Sequence, residues 1–197
     1  MTPHFPSRRA ALLSLAALAS PALLPGAAAA VNGPGDSIYR LAATLTDQDG
    51  RSFELASLQG TPVLASMFYS ACDMVCPMIF ETVHATLRAL PAAERSAVRM
   101  LMVSFDPARD TSAALKKVAQ DRGCDGQWLL ARADEATVRK IAAVLGTQYR
   151  KLANGEFNHS TTLYALDRQG RIAARSGKLG GADPALVGAI RKAVAVA

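Results

Sequence analysis

Cysteine and histidine are both scarce in this chain, at three residues each among 197. Three cysteines cannot all pair within one chain, which excludes a disulfide framework and leaves at least one thiol over. Basic residues outnumber acidic ones, for a formal net charge of +6, but they form no block and have no interleaved aromatics. That argues against nucleic-acid binding and for ordinary solubility with loose attraction to anionic surfaces. There is no internal repeat, no low-complexity tract, and no linker after residue 36. Nor does any apolar run reach the roughly 20 residues that span a bilayer. The longest, Ala10 to Leu24, is broken by Pro21 and contains Ser14 and Ser20.

That run is preceded by Ser7-Arg8-Arg9 and followed by Pro25-Gly26 and the alanines 27–30. A basic start, an apolar middle and an Ala-x-Ala-like end describe a cleavable export signal over residues 1–30. Ser7-Arg8-Arg9 with Leu12 close behind resembles a twin-arginine signal, although Ala11 stands where a bulky apolar residue is usual. The alternative is an uncleaved segment that anchors the chain. No cysteine lies near the cleavage region, so a lipid anchor is not expected. Cleavage after Ala30 removes Arg8 and Arg9, lowering the charge from +6 to +4. Residues 31–40, VNGPGDSIYR, read as a flexible lead-in, and residues 41–197 suffice for one domain with a full core. Export to a periplasm would put the thiols in an oxidising compartment, where paired thiols become disulfides unless a reductant or a metal holds them.

Within the domain, LAATLTD and RSFELA flank Gln48-Asp49-Gly50, a hairpin signal. Thr61 to Tyr69 and Val98 to Phe105 are near-continuous apolar runs that suit strands buried on both faces. Pro77 predicts the start of a helix to about Leu90. Thr111 to Asp121 is amphipathic, with Thr111 or Asp110 as its cap. Gln127 to Ala131 reads as a short strand, and Asp134 caps a helix through Leu145 that ends at Gly146. Thr161–Leu166 and Arg171–Ala174 form a second hairpin about Asp167–Gly170, and Asp183-Pro184 opens a last helix. Strands alternating with helices predict an α/β fold with a mainly parallel centre and antiparallel edges added by the terminal hairpin. With Cys72 and Cys76 at the end of the first central strand, just before a helix, the expected architecture is thioredoxin-like: a central mixed β-sheet flanked by helices, with an N-terminal β-hairpin.

Two of the cysteines fall together in Ser70-Ala71-Cys72-Asp73-Met74-Val75-Cys76-Pro77, at the end of the first central strand and just before a helix. Thioredoxin-like folds keep their chemistry at that place. The residue before a proline is pushed away from the α region, so Cys76 is expected at or outside the helix start, with both thiols on the loop. As a helical turn, the same spacing would put their Cα atoms about 6 Å apart, within disulfide range. A structural disulfide, a redox dithiol and a metal clamp all remain open on spacing alone. The positive end of the helix would lower thiolate pKa in each case. His84 lies eight residues past Cys76, roughly 12 Å along a helix, and reads as a surface histidine. His159 precedes the strand of the terminal hairpin, on a loop that faces the dithiol in a thioredoxin-like fold, where redox thioredoxins carry a proline. Two thiolates and one imidazole make a soft, low-coordinate set suited to Cu(I) and acceptable to Cu(II).

These residues together resemble the Sco/SenC family of thioredoxin-like, copper-binding assembly factors for respiratory cytochrome oxidase. The resemblance covers roughly Leu41 to Ile172. It is carried by Phe68 to Pro77, by Ser104-Phe105-Asp106-Pro107-Ala108-Arg109-Asp110-Thr111, and by His159-Ser160 ahead of Leu163-Tyr164 and Asp167–Gly170. It implies Cys72, Cys76 and His159 as copper ligands. It also implies a copper-receiving partner such as an oxidase subunit, and use of the same dithiol to reduce the cysteines of a binuclear copper centre. Ser70-Ala71 replaces the family's usual Thr-His, Asp73-Met74 its Pro-Asp, and Asn158 the Asp before the histidine.

Asp106 and Asp110 fit a strand-to-helix turn, and the alternative has Asp106 orienting a ligand from behind. Met67, Met74 and Met78 carry thioethers; Met74 reads as a possible extra ligand and the others as core filler. Cys124 reads as a loop thiol without a role. The sequence therefore supports a periplasmic copper chaperone or, as the alternative, a thiol–disulfide oxidoreductase cycling Cys72 and Cys76, with a thiol reductant as a further partner. A peroxiredoxin-like peroxidase is disfavoured, since its P-x-x-x-T/S-x-x-C pattern would need Pro at Ala65 and Thr or Ser at Tyr69.

Overall fold

The computed structural model describes Met1 and residues 37–196; the export-signal reading of residues 1–30 lies outside them apart from Met1. The chain opens with a hairpin of β1 (Thr44–Thr46) and β2 (Ser52–Glu54). Asp47 closes its turn by accepting from the backbone of Asp49 and Arg51 at 2.8 and 2.9 Å. Strand β3 (Val63–Phe68) follows, buried along its whole length. Then come α1 (Val75–Arg88), a short α2 (Ala92–Ser96), β4 (Arg99–Ser104) and α3 (Ser112–Asp121). Beyond them lie β5 (Trp128–Ala131) and α4 (Glu135–Leu145), which Asp134 caps and Gly146 ends in the left-handed region at φ +75°. The hairpin β6 (Tyr149–Lys151) and β7 (Phe157–His159) precedes β8 (Leu163–Leu166), β9 (Ile172–Ser176) and α5 (Pro184–Ala195).

One sheet of five strands, in the order β5-β4-β3-β8-β9, forms the centre. Its β3, β4 and β5 run parallel, while β8 is antiparallel to both β3 and β9. A mixed sheet with helices packed against it, and a hairpin before it, is the thioredoxin-like architecture expected from the pattern. Helix α1 packs against β3 and α5, α5 against β8 and β9, and α3 against β5. Phe68, Phe80 and Trp128 fill the interior, with Phe80 and Trp128 stacked at 5.7 Å. Truncating a buried ring of this kind costs about 3–5 kcal/mol.

Three features differ from the sequence expectation. Residues 37–40, the end of the lead-in segment, are built into the domain. Ile38 and Tyr39 are buried in a 3-10 turn, and the Ile38 N–H donates to Gly170 O at 3.0 Å. Gly170, at φ +75°, lies so close to Tyr39 that a Cβ there would sit 2.5 Å from the ring. The β6–β7 hairpin replaces an expected loop, so His159 ends a strand. Finally, α1 begins at Val75, two residues before Pro77.

Candidate metal centre

Chain direction sets the site. Because β8 runs against β3, its start lies at the same sheet edge as the end of β3, with Ser66 opposite Leu163. The last residues of β3 and the segment entering β8 therefore lie side by side, as the 2.9 Å bond from Ser66 Oγ to Thr162 O records.

Cys72 lies on that loop, but Cys76 is the second residue of α1, contrary to the expectation that both thiols precede the helix. Pro77 is then the third helical residue, where the N–H has no intrahelical acceptor to lose. The carbonyl a proline ring would clash with is that of residue i−4, here Asp73, which precedes the helix, so the usual clash with a helical turn does not arise. Cys72 performs a cap's work: its Sγ accepts from the Cys76 N–H at 3.3 Å. Met74, at the N-cap position, makes no such side-chain bond.

His159 is paired with Tyr149 across the β6–β7 hairpin. Its ring lies against Phe105 at 4.9 Å and edge-on to Tyr69 at 5.9 Å. Nδ1–H donates to Ser160 O at 3.1 Å, which leaves Nε2 as the ring atom available to a ligand. Two further bonds clamp the hairpin. Tyr69 Oη donates to Glu156, and Arg109 Nη2 donates to Gly155 O at 2.7 Å. The outcome is that one ligand atom each from Cys72, Cys76 and His159 lie within 4.8 Å of one another. Both cysteines are free and buried. A hollow of about 360 Å³ opens over Cys72, lined also by Tyr69, Met74, Phe157 and His159 among others.

The two thiols are electrostatically unlike. Burial pushes the Cys72 pKa up, but hydrogen bonds from the Cys76 backbone and thiol, and from the N–H groups of Val75 and Met74, outweigh it and bring it down. Burial pushes Cys76 well above the ordinary thiol range, and the proximity of Cys72 and Asp110 adds to the rise. A helix start that favours one thiolate supplies a nucleophile and a metal ligand in the same atom.

The buried carboxylate that reaches the cysteine loop is Asp110. It accepts from Ser70 N at 3.1 Å and from the hydroxyls of Ser70 and Ser104. Thr111, not Asp110, caps α3, through the Ala114 N–H at 3.2 Å. Asp106 instead grips Arg109, whose guanidinium lies over Tyr69 and Phe157 at 5.8 and 5.9 Å. Its described contacts include none with Cys72, Cys76 or His159. The motif that contains both aspartates was visible in the sequence, but a cap and a loop anchor look alike there.

The other singled-out residues fall elsewhere. His84 is half-buried, bonded through Nε2 to Arg122 O at 2.9 Å and packed on Trp128 at 4.8 Å, so it is more than a surface group. Met67 is core, whereas Met78 is 44% exposed and Met74 79% exposed. Cys124 is half-buried in the turn after α3, its thiol pushed up to about 12 by burial first and by Asp125 next.

A thioredoxin-like domain with two cysteines and a histidine converging at the mouth of its first central helix defines a narrow class of proteins. The SCO1/SenC family model matches residues 36–195, and the chain belongs to that family. It is 28% identical to the SCO1 protein homolog of Bacillus subtilis over 134 residues, covering 66% of this chain and 68% of the relative. It is 31% identical to a putative copper-binding protein of Stutzerimonas stutzeri over 72 residues, 36% of this chain and 35% of that one. Among solved structures, copper-bound ScoI of Bradyrhizobium japonicum aligns with TM-score 0.65 and 25% identity, over 77% of this chain and 96% of the other. A putative electron transfer protein of Aquifex aeolicus aligns with TM-score 0.67 and 25% identity, over 77% and 89%. Among the described residues, no helix is long and apolar enough to cross a membrane.

Proposed function

We propose that the chain is a periplasmic copper chaperone. It binds Cu(I) or Cu(II) through Cys72, Cys76 and His159 and passes the metal to a copper-receiving protein, such as the subunit of cytochrome c oxidase that houses a copper centre. The observation that carries this reading is the convergence of the three ligand atoms within 4.8 Å. The donor set is soft and low in coordination number, as copper prefers, and the copper named for the Bradyrhizobium structure supports the same cargo. Hydrogen bonds at the helix start favour the Cys72 thiolate, and the Nδ1 bond to Ser160 O turns Nε2 of His159 into the ring atom available to a metal. Two thiolates also allow release by ligand exchange, one bond to the recipient forming as one to the carrier breaks. The signal-like pattern of residues 1–30, basic then apolar then alanine-rich, supports the export part of this reading.

A second reading rests on the unequal thiols. As an oxidoreductase, Cys72 thiolate would attack one sulfur of a partner's disulfide and release the other as a thiolate. Cys76, once deprotonated, would then attack the mixed disulfide, leaving Cys72–Cys76 oxidised and both partner cysteines reduced. Such a step would prepare the cysteines of a copper-site protein, and a separate thiol reductant would restore the pair.

Copper stoichiometry and affinity of the reduced protein, measured beside Cys72→Ser, Cys76→Ser and His159→Ala, separate the two. The chaperone reading expects one copper per chain and weaker binding in all three variants. Copper binding unchanged in His159→Ala, with catalytic turnover of a model disulfide by the wild type, would overturn it in favour of the oxidoreductase.

A further inference from the structure

Met74 is a large apolar side chain left 79% exposed beside the thiols. Exposure of one apolar residue is unremarkable alone, but its position is not. It occupies the N-cap of α1, where Ser, Thr, Asp or Asn would satisfy an orphan N–H, and it makes no capping bond. It packs in no core. It lines the same hollow as Cys72 and His159, with an unbranched side chain that three rotatable bonds allow to swing over the mouth.

The remaining methionines isolate it. Met67, Met100 and Met102 are buried in β3 and β4 at 1% exposure or less. Met78 is exposed four residues further along α1 but does not line the hollow. Met1 is the first residue, 73 positions before Met74 in the sequence.

We propose, resting on the copper reading above, that Met74 supplies a thioether to Cu(I) at the mouth of the Cys72–Cys76–His159 site. A thioether is neutral, has no proton to lose and is soft, so it favours Cu(I) and adds little for Cu(II). It gives the cuprous ion a ligand on the solvent side of the two thiolates, the side from which an incoming recipient must approach. The ion can enter or leave through a sulfur that never titrates. The site therefore discriminates between oxidation states by a residue outside the three-ligand cluster.

The test uses selenomethionine-labelled protein loaded with Cu(I) without oxygen and read by selenium-edge X-ray absorption. The expected result is copper–selenium scattering in wild type that persists in Met78→Leu and disappears in Met74→Leu. In competition with a Cu(I) chelator, Met74→Leu should bind Cu(I) about tenfold more weakly, or about 1.4 kcal/mol, with Cu(II) affinity unchanged. Copper bound to wild type with no selenium scattering overturns the inference while leaving the three-ligand reading intact. So does scattering lost in Met78→Leu and kept in Met74→Leu. If the wild type binds no copper at all, the underlying functional reading fails first and this inference with it.

Discussion

Replacing Asp110 by alanine should loosen the cysteine loop and cost appreciable stability. The carboxylate is fully buried and accepts from the Ser70 backbone N–H at 3.1 Å and from the hydroxyls of Ser70 and Ser104. Ser104 is itself fully buried. Each buried donor stranded by the change costs about 1–3 kcal/mol. Relief of the carboxylate's own desolvation offsets part of that, as does rotation of the serine hydroxyls. The net loss should be about 3 kcal/mol, a fall in Tm of about 6–12 °C for a domain of this size. Asp110→Asn keeps one acceptor oxygen and offers its NH₂ to a serine oxygen that can turn to receive it, so it should lose about 1 kcal/mol. Urea and thermal unfolding of the reduced apo protein measure both. An alanine variant within about 0.5 kcal/mol of wild type would refute the reasoning, because surface changes do as much.

The unequal thiols predict an order of modification. Iodoacetamide should label Cys72 first and at a pH below the ordinary thiol range, because thiolate is the nucleophile and Cys72's pKa is lowered. Cys76, raised by burial, should react only at higher pH or after unfolding; equal rates in mass-mapped digests would contradict this. Gly170→Ala should destabilise the fold by more than about 2 kcal/mol, because left-handed backbone strain adds to a Cβ 2.5 Å from Tyr39. Gly50→Ala, at φ +77° with no atom within 4 Å, should lose only about 1–2 kcal/mol. Similar losses for the two in urea unfolding would remove the steric argument.

What the sequence disclosed followed the strength of each local signal. Strand β3 was legible because six consecutive residues are buried on both faces, and α4 because Asp134 and Gly146 mark its ends by distinct chemistry. The β6–β7 hairpin was not, since Arg150, Lys151 and Asn158 face solvent and blur the alternation; Asn154-Gly155 at its turn was the available signal. The start of α1 was misplaced by weighing the pre-proline restriction on Cys76 above the freedom of a proline in the first turn. Topology supplied the rest. Cys72 and His159 come together because β8 reverses direction beside β3, and no short-range pattern states which strands are neighbours. Asp110 was hidden differently: its partner Ser70 is forty residues away, while an equally good local role as a cap lay next door.

The central claim is that Cys72, Cys76 and His159 hold one copper ion together. Copper-edge X-ray absorption of the Cu(I)-loaded protein tests it most directly. The account predicts a sulfur shell together with imidazole nitrogen scattering that vanishes in His159→Ala. A shell of sulfur alone in the wild type, unchanged in that variant, would contradict it.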